Sequence, residues 1–151
     1  MTCKALMHDR GENMCGLFAY EGDVNELDEF ELTFQHLTHR GPDDHEILIS
    51  QNKNASLCFH RLAIMDPTIK GHQPFLDSQT QTIIVCNGEI YNHQKLRQKL
   101  EKNYHFKSQS DCEVLIPMYR DLLLRDLCVE LDAEFSLVIW DEEKKKLLAA
   151  R

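Results

Sequence analysis

The spacing of the apolar runs constrains the fold of this chain more than any other feature. Strand-like runs at residues 47–50 and 56–65 follow one another across a short polar turn, and residues 135–140 and 146–150 read as a hairpin. Connections this short contain no helical crossover, which a parallel strand pair requires. The sequence therefore predicts antiparallel or mixed sheets with helices packed outside them, which is an α+β fold. Two further strands are expected at residues 16–20 and 82–86.

Three helices are expected beside these strands. The first carries apolar residues at three- and four-residue steps along one face, namely Leu27, Phe30, Phe34 and Leu37. Asn92 is placed to cap the second helix. Ser110 and Glu113 match a capping box at the start of the third, and Pro117 inside that helix is expected to bend it.

Charge and composition exclude several classes of function. The formal net charge is −8 at pH 7, which argues against nonspecific binding to nucleic acid or to an anionic membrane. No apolar run approaches the length of a membrane span, and residues 1–13 lack the apolar region of a secretory signal. The six cysteines include no CxxC pair, so reduced thiols and a cytoplasmic location are expected.

Five short motifs look chemical, and their order along the chain is more informative than any one of them. They are MCG at residues 14–16, HRGPD at 39–43, HRLAIMD at 60–66, NGEIYNH at 87–93 and SDCEV at 110–114. Together, in this order, they resemble the class II glutamine amidotransferases, which are amino-terminal-nucleophile glutaminases. The HRLAIMD and NGEIYNH segments are similar to the glutaminase half of the asparagine synthetases.

This resemblance implies a fold, a reaction and a set of partners. The fold is a four-layer αββα sandwich of the amino-terminal-nucleophile hydrolase type. The reaction is hydrolysis of L-glutamine to glutamate and ammonia, and an ATP-dependent synthetase domain then uses the ammonia to convert aspartate to asparagine. That domain, with its ATP and magnesium, is not part of this segment and acts in cis or in trans, and a homodimer is compatible with the family. No cofactor is expected here, and no metal, because the histidines lack the spacing of a tetrahedral site.

Cys15 is the expected nucleophile, although the residue alone could be a cysteine at a strand edge. A thiol is mostly protonated near neutrality and needs a base. The α-amino group of a first residue, with a pKa of about 8, can serve, whereas an amide nitrogen cannot, because its lone pair is delocalised. Residues 1–14 are therefore expected to be an untranslated, cleaved or disordered leader, with initiation at Met14 favoured, and the chain as written is expected to be inactive.

The remaining site residues are assigned by resemblance. The side chain of Asn87 and the backbone N–H of Gly88 are expected to form an oxyanion hole, although this dipeptide also fits a tight hairpin turn. Arg61 is expected to bind the α-carboxylate of glutamine. Asp111 is expected to bind the α-ammonium, or to complement a helix dipole, and Glu89 is a further amine contact. The segment expected to lie along the substrate is Arg61, Leu62, Ala63, Ile64 and Met65.

Two alternatives remain beside this reading. One is another class II glutamine amidotransferase, such as the hexosamine-forming type, which the HRLAIMD and NGEIYNH segments oppose. The other is a catalytically dead scaffold or interaction module with a masked nucleophile. Relatives continue beyond the LAAR at residues 148–151, so residues 15–151 are expected to be an incomplete glutaminase domain with an unprotected sheet edge.

Overall fold

Two antiparallel sheets form the framework of this α+β protein, of which the computed structural model describes residues 15–24 and 33–151. The first sheet has the strand order β1–β3–β2, and its strands are β1 (Gly16–Glu21), β2 (Asp44–Ile49) and β3 (Ala55–Arg61). The second has the order β4–β5–β6–β7, and its strands are β4 (Phe75–Leu76), β5 (Ile83–Ile90), β6 (Ala133–Asp141) and β7 (Lys146–Ala150). All five strand pairs are antiparallel, which confirms the expected pairing and the β6–β7 hairpin.

One of the apolar cores lies between the two sheets. Leu57 and Phe59 of β3 face Val85 of β5 and Val138 and Trp140 of β6, and each is at most 3% exposed. Because side chains alternate along a strand, the intervening residues of β5 and β6 face away from this core. They are buried as well, which explains why both strands are continuous apolar runs rather than alternating ones.

Helices cover the outer face of the second sheet. They are α1 (His93–Leu100), α2 (Leu115–Asp121) and α3 (Leu124–Glu130), with a 3-10 turn at Asp111–Val114 before α2. Leu96, Leu115 and Leu127 pack with Ile84 and Leu137 in one buried cluster. No helix in the described ranges is long and apolar enough to cross a membrane.

The outer face of the first sheet is also covered. Phe34 and Leu37 pack against Phe18 of β1 and Cys58 of β3, and residues 33–35 are helical. This agrees with the helix expected there, although two of its apolar positions, Leu27 and Phe30, lie outside the described residues. The leader expected at residues 1–14 lies outside them as well.

The capping predictions were partly wrong, because tertiary contacts use the same side chains. Asn92 precedes α1 as expected, but it makes no side-chain cap bond. Its amide donates to the carbonyl oxygen of Glu130 at 2.9 Å and accepts from the N–H of Asp132 at 3.2 Å. Asn92 thus connects the start of α1 to the segment between α3 and β6.

The capping box at Ser110 is also absent. Ser110 makes no side-chain cap bond, and the Glu113 carboxylate accepts from the N–H groups of Lys107 and Ser108, at 2.7 and 2.8 Å. Pro117 is the third residue of α2, within the first turn, where backbone N–H groups have no partner inside the helix. The expected bend stays a prediction, and the segment changes from a 3-10 turn to an α-helix two residues before Pro117.

Candidate active site

Asn87 and Gly88 lie inside strand β5, so the hairpin-turn reading of this dipeptide is wrong. They pair with Ser136 and Phe135 of β6. A Cβ atom on Gly88 would lie 2.1 Å from the carbonyl oxygen of Glu134 and 2.5 Å from the Cα of Phe135. Glycine is required here by the close approach of a neighbouring backbone rather than by a positive φ.

The half-buried thiol of Cys15 lies where the first sheet ends. The N–H of Leu62 donates to the Sγ of Cys15 at 3.2 Å, and this Sγ is 3.5 Å from the carbonyl oxygen of Leu62. The Nε of Arg40 donates to the carbonyl oxygen of Cys15 at 3.3 Å. Backbone and side chain are thus both fixed, and the sulfur lies at the cavity described below rather than inside a packed core.

The surroundings of Cys15 do not ionise its thiol. Burial raises the pKa of this thiol, and the bond from the Leu62 backbone and the positive charges of Arg61 and Arg40 only partly offset the increase. The thiol is therefore protonated near neutral pH. Any reaction through this sulfur requires a base that takes its proton.

Arg61 is the last residue of β3, and the loop that follows fixes its guanidinium group. Its Nη1 donates to the carbonyl oxygen of Thr68 at 3.0 Å, and its Nη2 donates to that of Asp66. A Cβ atom on Gly71 would lie 2.7 Å from Nη2. These two bonds use two of the five N–H donors of the guanidinium, so the group is oriented and retains donors for a ligand.

Asp111 opens the 3-10 turn before α2 and is 3% exposed. Its Oδ2 accepts a hydrogen bond from the N–H of Ile90, the last residue of β5, at 2.7 Å. This bond places the carboxylate beside the strand that carries Asn87 and Gly88. Glu89, on the same strand, is exposed.

These residues surround one cavity of about 250 Å³. A space slightly smaller than that of drug-sized ligands suits a molecule the size of an amino acid. The predicted site residues in its lining are Cys15, Arg61, Leu62, Ile64, Met65, Asn87, Gly88, Glu89 and Asp111. Ala63 does not line the cavity, and its N–H donates to the Oδ2 of Asp43 at 2.8 Å.

Comparison with known families identifies the type of domain that carries this cavity. A family model described as a glutamine amidotransferase domain matches residues 14–151. The chain belongs to this glutamine amidotransferase family. The match includes every residue that the cavity brings together.

Relatives of this amidotransferase domain include several asparagine synthetases. A probable glutamine-hydrolysing asparagine synthetase from Schizosaccharomyces pombe is 39% identical over 91% of this chain and 25% of the relative. One from Acanthamoeba polyphaga mimivirus is also 39% identical, over 91% of this chain and 26% of the relative. Amidase chry2 from Gibberella zeae is 34% identical over 91% of this chain and 22% of the relative. The chain thus spans about a quarter of the length of these relatives.

A solved structure supports the fold of the amidotransferase domain. Glutamine phosphoribosylpyrophosphate amidotransferase from Bacillus subtilis, complexed with ADP and GMP, superposes with a TM-score of 0.60 at 20% identity. The match covers 85% of this chain and 35% of that chain. At this identity the likeness establishes the fold alone.

Several cavity residues of the amidotransferase domain escaped the sequence reasoning. Gln73 is 7% exposed, and its side chain donates to the carbonyl oxygen of Cys86 at 2.9 Å and accepts from the N–H of Cys86 at 2.7 Å. The Gln73 side chain thus continues the hydrogen bonding of the β4–β5 ladder towards Asn87, although Gln73 itself lies outside β4. Glu134 lies directly opposite Glu89 in the β5–β6 ladder, a relation visible only once the register is known.

Two histidines of the sequence motifs, His60 and His39, are engaged in packing and local bonds. His60 stacks on Phe34 with 4.0 Å between ring centroids, and its Nε2 donates to the carbonyl oxygen of Phe34 at 2.9 Å. The Nδ1 of His39 lies 2.8 Å from the carbonyl oxygen of His36. Within residues 15–24 and 33–151, no three metal-ligating side chains come together in a group that could hold a metal ion.

Proposed function

We propose that this amidotransferase domain is the glutaminase part of an asparagine synthetase and releases ammonia from the side-chain amide of L-glutamine. The observation that carries the proposal is the single cavity shared by the Cys15 thiol, the Asn87–Gly88 pair, the Arg61 guanidinium and the Asp111 carboxylate. A nucleophile, oxyanion donors and two charges of opposite sign are the groups that an amidohydrolase acting on an amino acid needs.

The protonated thiol determines the first step of the proposed mechanism. The free α-amino group of Cys15, once this residue is the first of the chain, takes the proton from Sγ, and the sulfur attacks the amide carbon of glutamine. The side-chain amide of Asn87 and the N–H of Gly88 donate to the developing oxyanion, each contributing about 3 kcal/mol. The ammonium group returns its proton to the amide nitrogen, which leaves as ammonia, and water then hydrolyses the thioester to glutamate.

Charge complementarity orients the substrate in this proposal. The guanidinium of Arg61 binds the α-carboxylate and Asp111 binds the α-ammonium, while Leu62, Ile64 and Met65 lie along the ligand. Glu89 and Glu134 face each other across the β5–β6 ladder, and both line the cavity. Like charges at directly opposite positions destabilise a strand pair. A bound ammonium group relieves that repulsion, which supports Glu89 as a contact of the substrate amine.

The proposal extends to the architecture and to the use of the ammonia. The helix and sheet layers form an αββα sandwich of the amino-terminal-nucleophile hydrolase type, residues 15–151 belong to this one domain, and its working form begins at Cys15. The ammonia passes in the cytoplasm to a synthetase domain, in cis or in trans, which uses ATP and magnesium to convert aspartate to asparagine. The proposed use of the ammonia is supported by the asparagine synthetase relatives, which are about four times as long as this chain.

The test compares two starting points of the same protein. A form translated from Met14, whose methionine is removed to expose Cys15, is expected to release ammonia from glutamine, and intact mass confirms its first residue. The form that retains residues 1–14 is expected to release none. Cys15→Ala in the trimmed form should abolish the activity, whereas Cys128→Ala, a half-buried thiol outside the cavity, should not. Glutaminase activity in the untrimmed protein, or undiminished activity in Cys15→Ala, contradicts the proposal.

A further inference from the structure

One carboxylate connects the two sides of the cavity. Asp66 lies in the loop between β3 and β4, and its Oδ2 accepts a hydrogen bond from the N–H of Gln109 at 2.6 Å. Gln109 is two residues before Asp111. The other oxygen of Asp66, Oδ1, accepts from the N–H and the hydroxyl of Thr68, at 3.1 and 2.6 Å.

The same residue orients Arg61 through its backbone. The carbonyl oxygen of Asp66 accepts from Nη2 of Arg61, and the carbonyl oxygen of Thr68 accepts from Nη1. Asp66 has a φ of +35°, in the left-handed region that a residue with a Cβ adopts at an energetic cost. The side-chain bonds to Thr68 and Gln109 hold the residue in this conformation, which turns its carbonyl oxygen towards the guanidinium.

Arg61 and Asp111 belong to different halves of the fold. Arg61 ends β3 of the first sheet, whereas Asp111 is bonded to the end of β5 in the second sheet. Asp66 bonds to both: its carbonyl oxygen to Arg61 and its carboxylate to the backbone ahead of Asp111. We propose that Asp66 is a positioning residue that sets the separation between the Arg61 guanidinium and the Asp111 carboxylate, and thereby makes the site selective for ligands carrying both α-groups.

The positioning role of Asp66 rests on the proposed function. The charge state of the Asp66 carboxylate is compatible with that role. The hydroxyl of Thr68 and then the N–H of Gln109 hold the pKa of this carboxyl below its usual value, and the charge of Arg61 acts in the same direction. Asp66 is thus ionised at neutral pH, with both oxygens accepting. Asp66→Asn keeps the shape but leaves one accepting oxygen, so the bonds from the backbone N–H groups of Thr68 and Gln109, which go to different oxygens, cannot both survive.

The experiment compares three substrates of the trimmed protein, in which Cys15 is the first residue. They are L-glutamine, glutaramate, which lacks the α-amino group, and 4-aminobutanamide, which lacks the α-carboxylate. Asp66→Asn is expected to lower kcat/KM for glutamine about tenfold, mainly through KM, because a charge-assisted hydrogen bond is lost. Values for the two analogues should change less than about twofold, since each engages only one side. An equal loss for all three substrates means that Asp66 serves folding only, and overturns the inference.

Asp44→Asn provides the matched control. The carboxylate of Asp44 pairs with His72 of the same loop at 2.6 Å, but it does not reach Gln109. The same isosteric change there is expected to leave all three kcat/KM values within about twofold, because this pair is partly exposed to solvent. If Asp44→Asn reproduces the selective loss of glutamine hydrolysis, general anchoring of the loop is responsible and the assignment to Asp66 is wrong.

A binding measurement separates this inference from the proposed function. Calorimetric titration of glutamine into Cys15→Ala, with and without Asp66→Asn, requires no chemistry. If the protein with intact Cys15 hydrolyses none of the three substrates, the proposed function fails. A Kd for glutamine that then rises about tenfold with Asp66→Asn still supports the positioning role. An unchanged Kd, or no binding to either protein, overturns it.

Discussion

Gly88→Ala tests whether the end of β5 is both a strand and an oxyanion hole. The added Cβ would lie 2.1 Å from the carbonyl oxygen of Glu134 and 2.5 Å from the Cα of Phe135. Both atoms belong to the backbone of β6, a central strand bonded to β5 on one side and β7 on the other. Neither can rotate away as a flexible side chain can, so β5 and β6 must separate locally.

The size of the effect follows from that separation. Carbon atoms approach other heavy atoms without repulsion at about 3.5 Å, so the backbone at Gly88 must move by roughly 1 Å. Overpacking of this kind typically costs about 1–3 kcal/mol of stability. An oxyanion donor acts at about 2.7–3.1 Å, and a misplacement of about 1 Å reduces the rate on the order of 100-fold.

Two measurements on the trimmed protein check this prediction. Ammonia release gives kcat, expected to fall about 100-fold, and urea denaturation gives the free energy of unfolding, expected to fall by about 2 kcal/mol. Ser136→Ala is the control, because Ser136 pairs with Asn87 in the same ladder and the change adds no atoms. It should leave kcat within about twofold and stability within about 0.5 kcal/mol. A Gly88→Ala protein with normal kcat would show that this N–H is not an oxyanion donor.

Three further outcomes follow from buried polar contacts. Arg120→Met removes the partner of the Asp77 carboxylate, which is 2% exposed, and should lower the free energy of unfolding by about 3 kcal/mol in urea. Burial raises the pKa of Asp77, but the bonds from Arg120 and its other donors outweigh burial and hold the pKa below its usual value. This contribution is therefore complete above the unfolded pKa of about 4 and is lost as pH falls through the folded pKa, so Asp77→Asn should flatten the loss of stability in acid titrations. Gln73→Leu removes both bonds to the backbone of Cys86 and should lower kcat about tenfold with KM nearly unchanged in steady-state ammonia assays.

The apolar runs of the sequence predicted the sheets, because the strands pair where their side chains are buried. Strands β5 and β6 read as continuous apolar runs, and both have buried residues on each face. The β6–β7 hairpin was predictable from two apolar runs separated by a short polar turn, although no residue of β7 is fully buried. The sequence did not predict β4, because a strand of two residues shows no periodic pattern. It did not predict α3 either, because only two residues separate this helix from α2.

Local sequence rules failed where tertiary partners used the same groups. Asn87–Gly88 has the composition of a turn, yet the ladder with β6 keeps it extended. Glu113 has the spacing of a capping residue, yet it accepts bonds from the chain ahead of Ser110. The bond from Asp66 to Gln109 spans 43 residues, and nothing in the spacing of the two residues indicates it.

The proposed catalytic groups lie on both sides of the seam between the two sheets, so we expect stability and activity to be coupled in this domain. Cys15 directly precedes β1 and Arg61 ends β3 of the first sheet, whereas Asn87 and Gly88 lie in β5 of the second sheet, with Asp111 bonded to the last residue of β5. In the proposed mechanism the nucleophile and the oxyanion donors come from different sheets, so the distances between them depend on how the sheets dock. That docking is set mainly by the apolar core between them, because close-packed interiors transmit small shifts rather than absorb them. Substitutions in this core should therefore change kcat even where they lie far from the cavity.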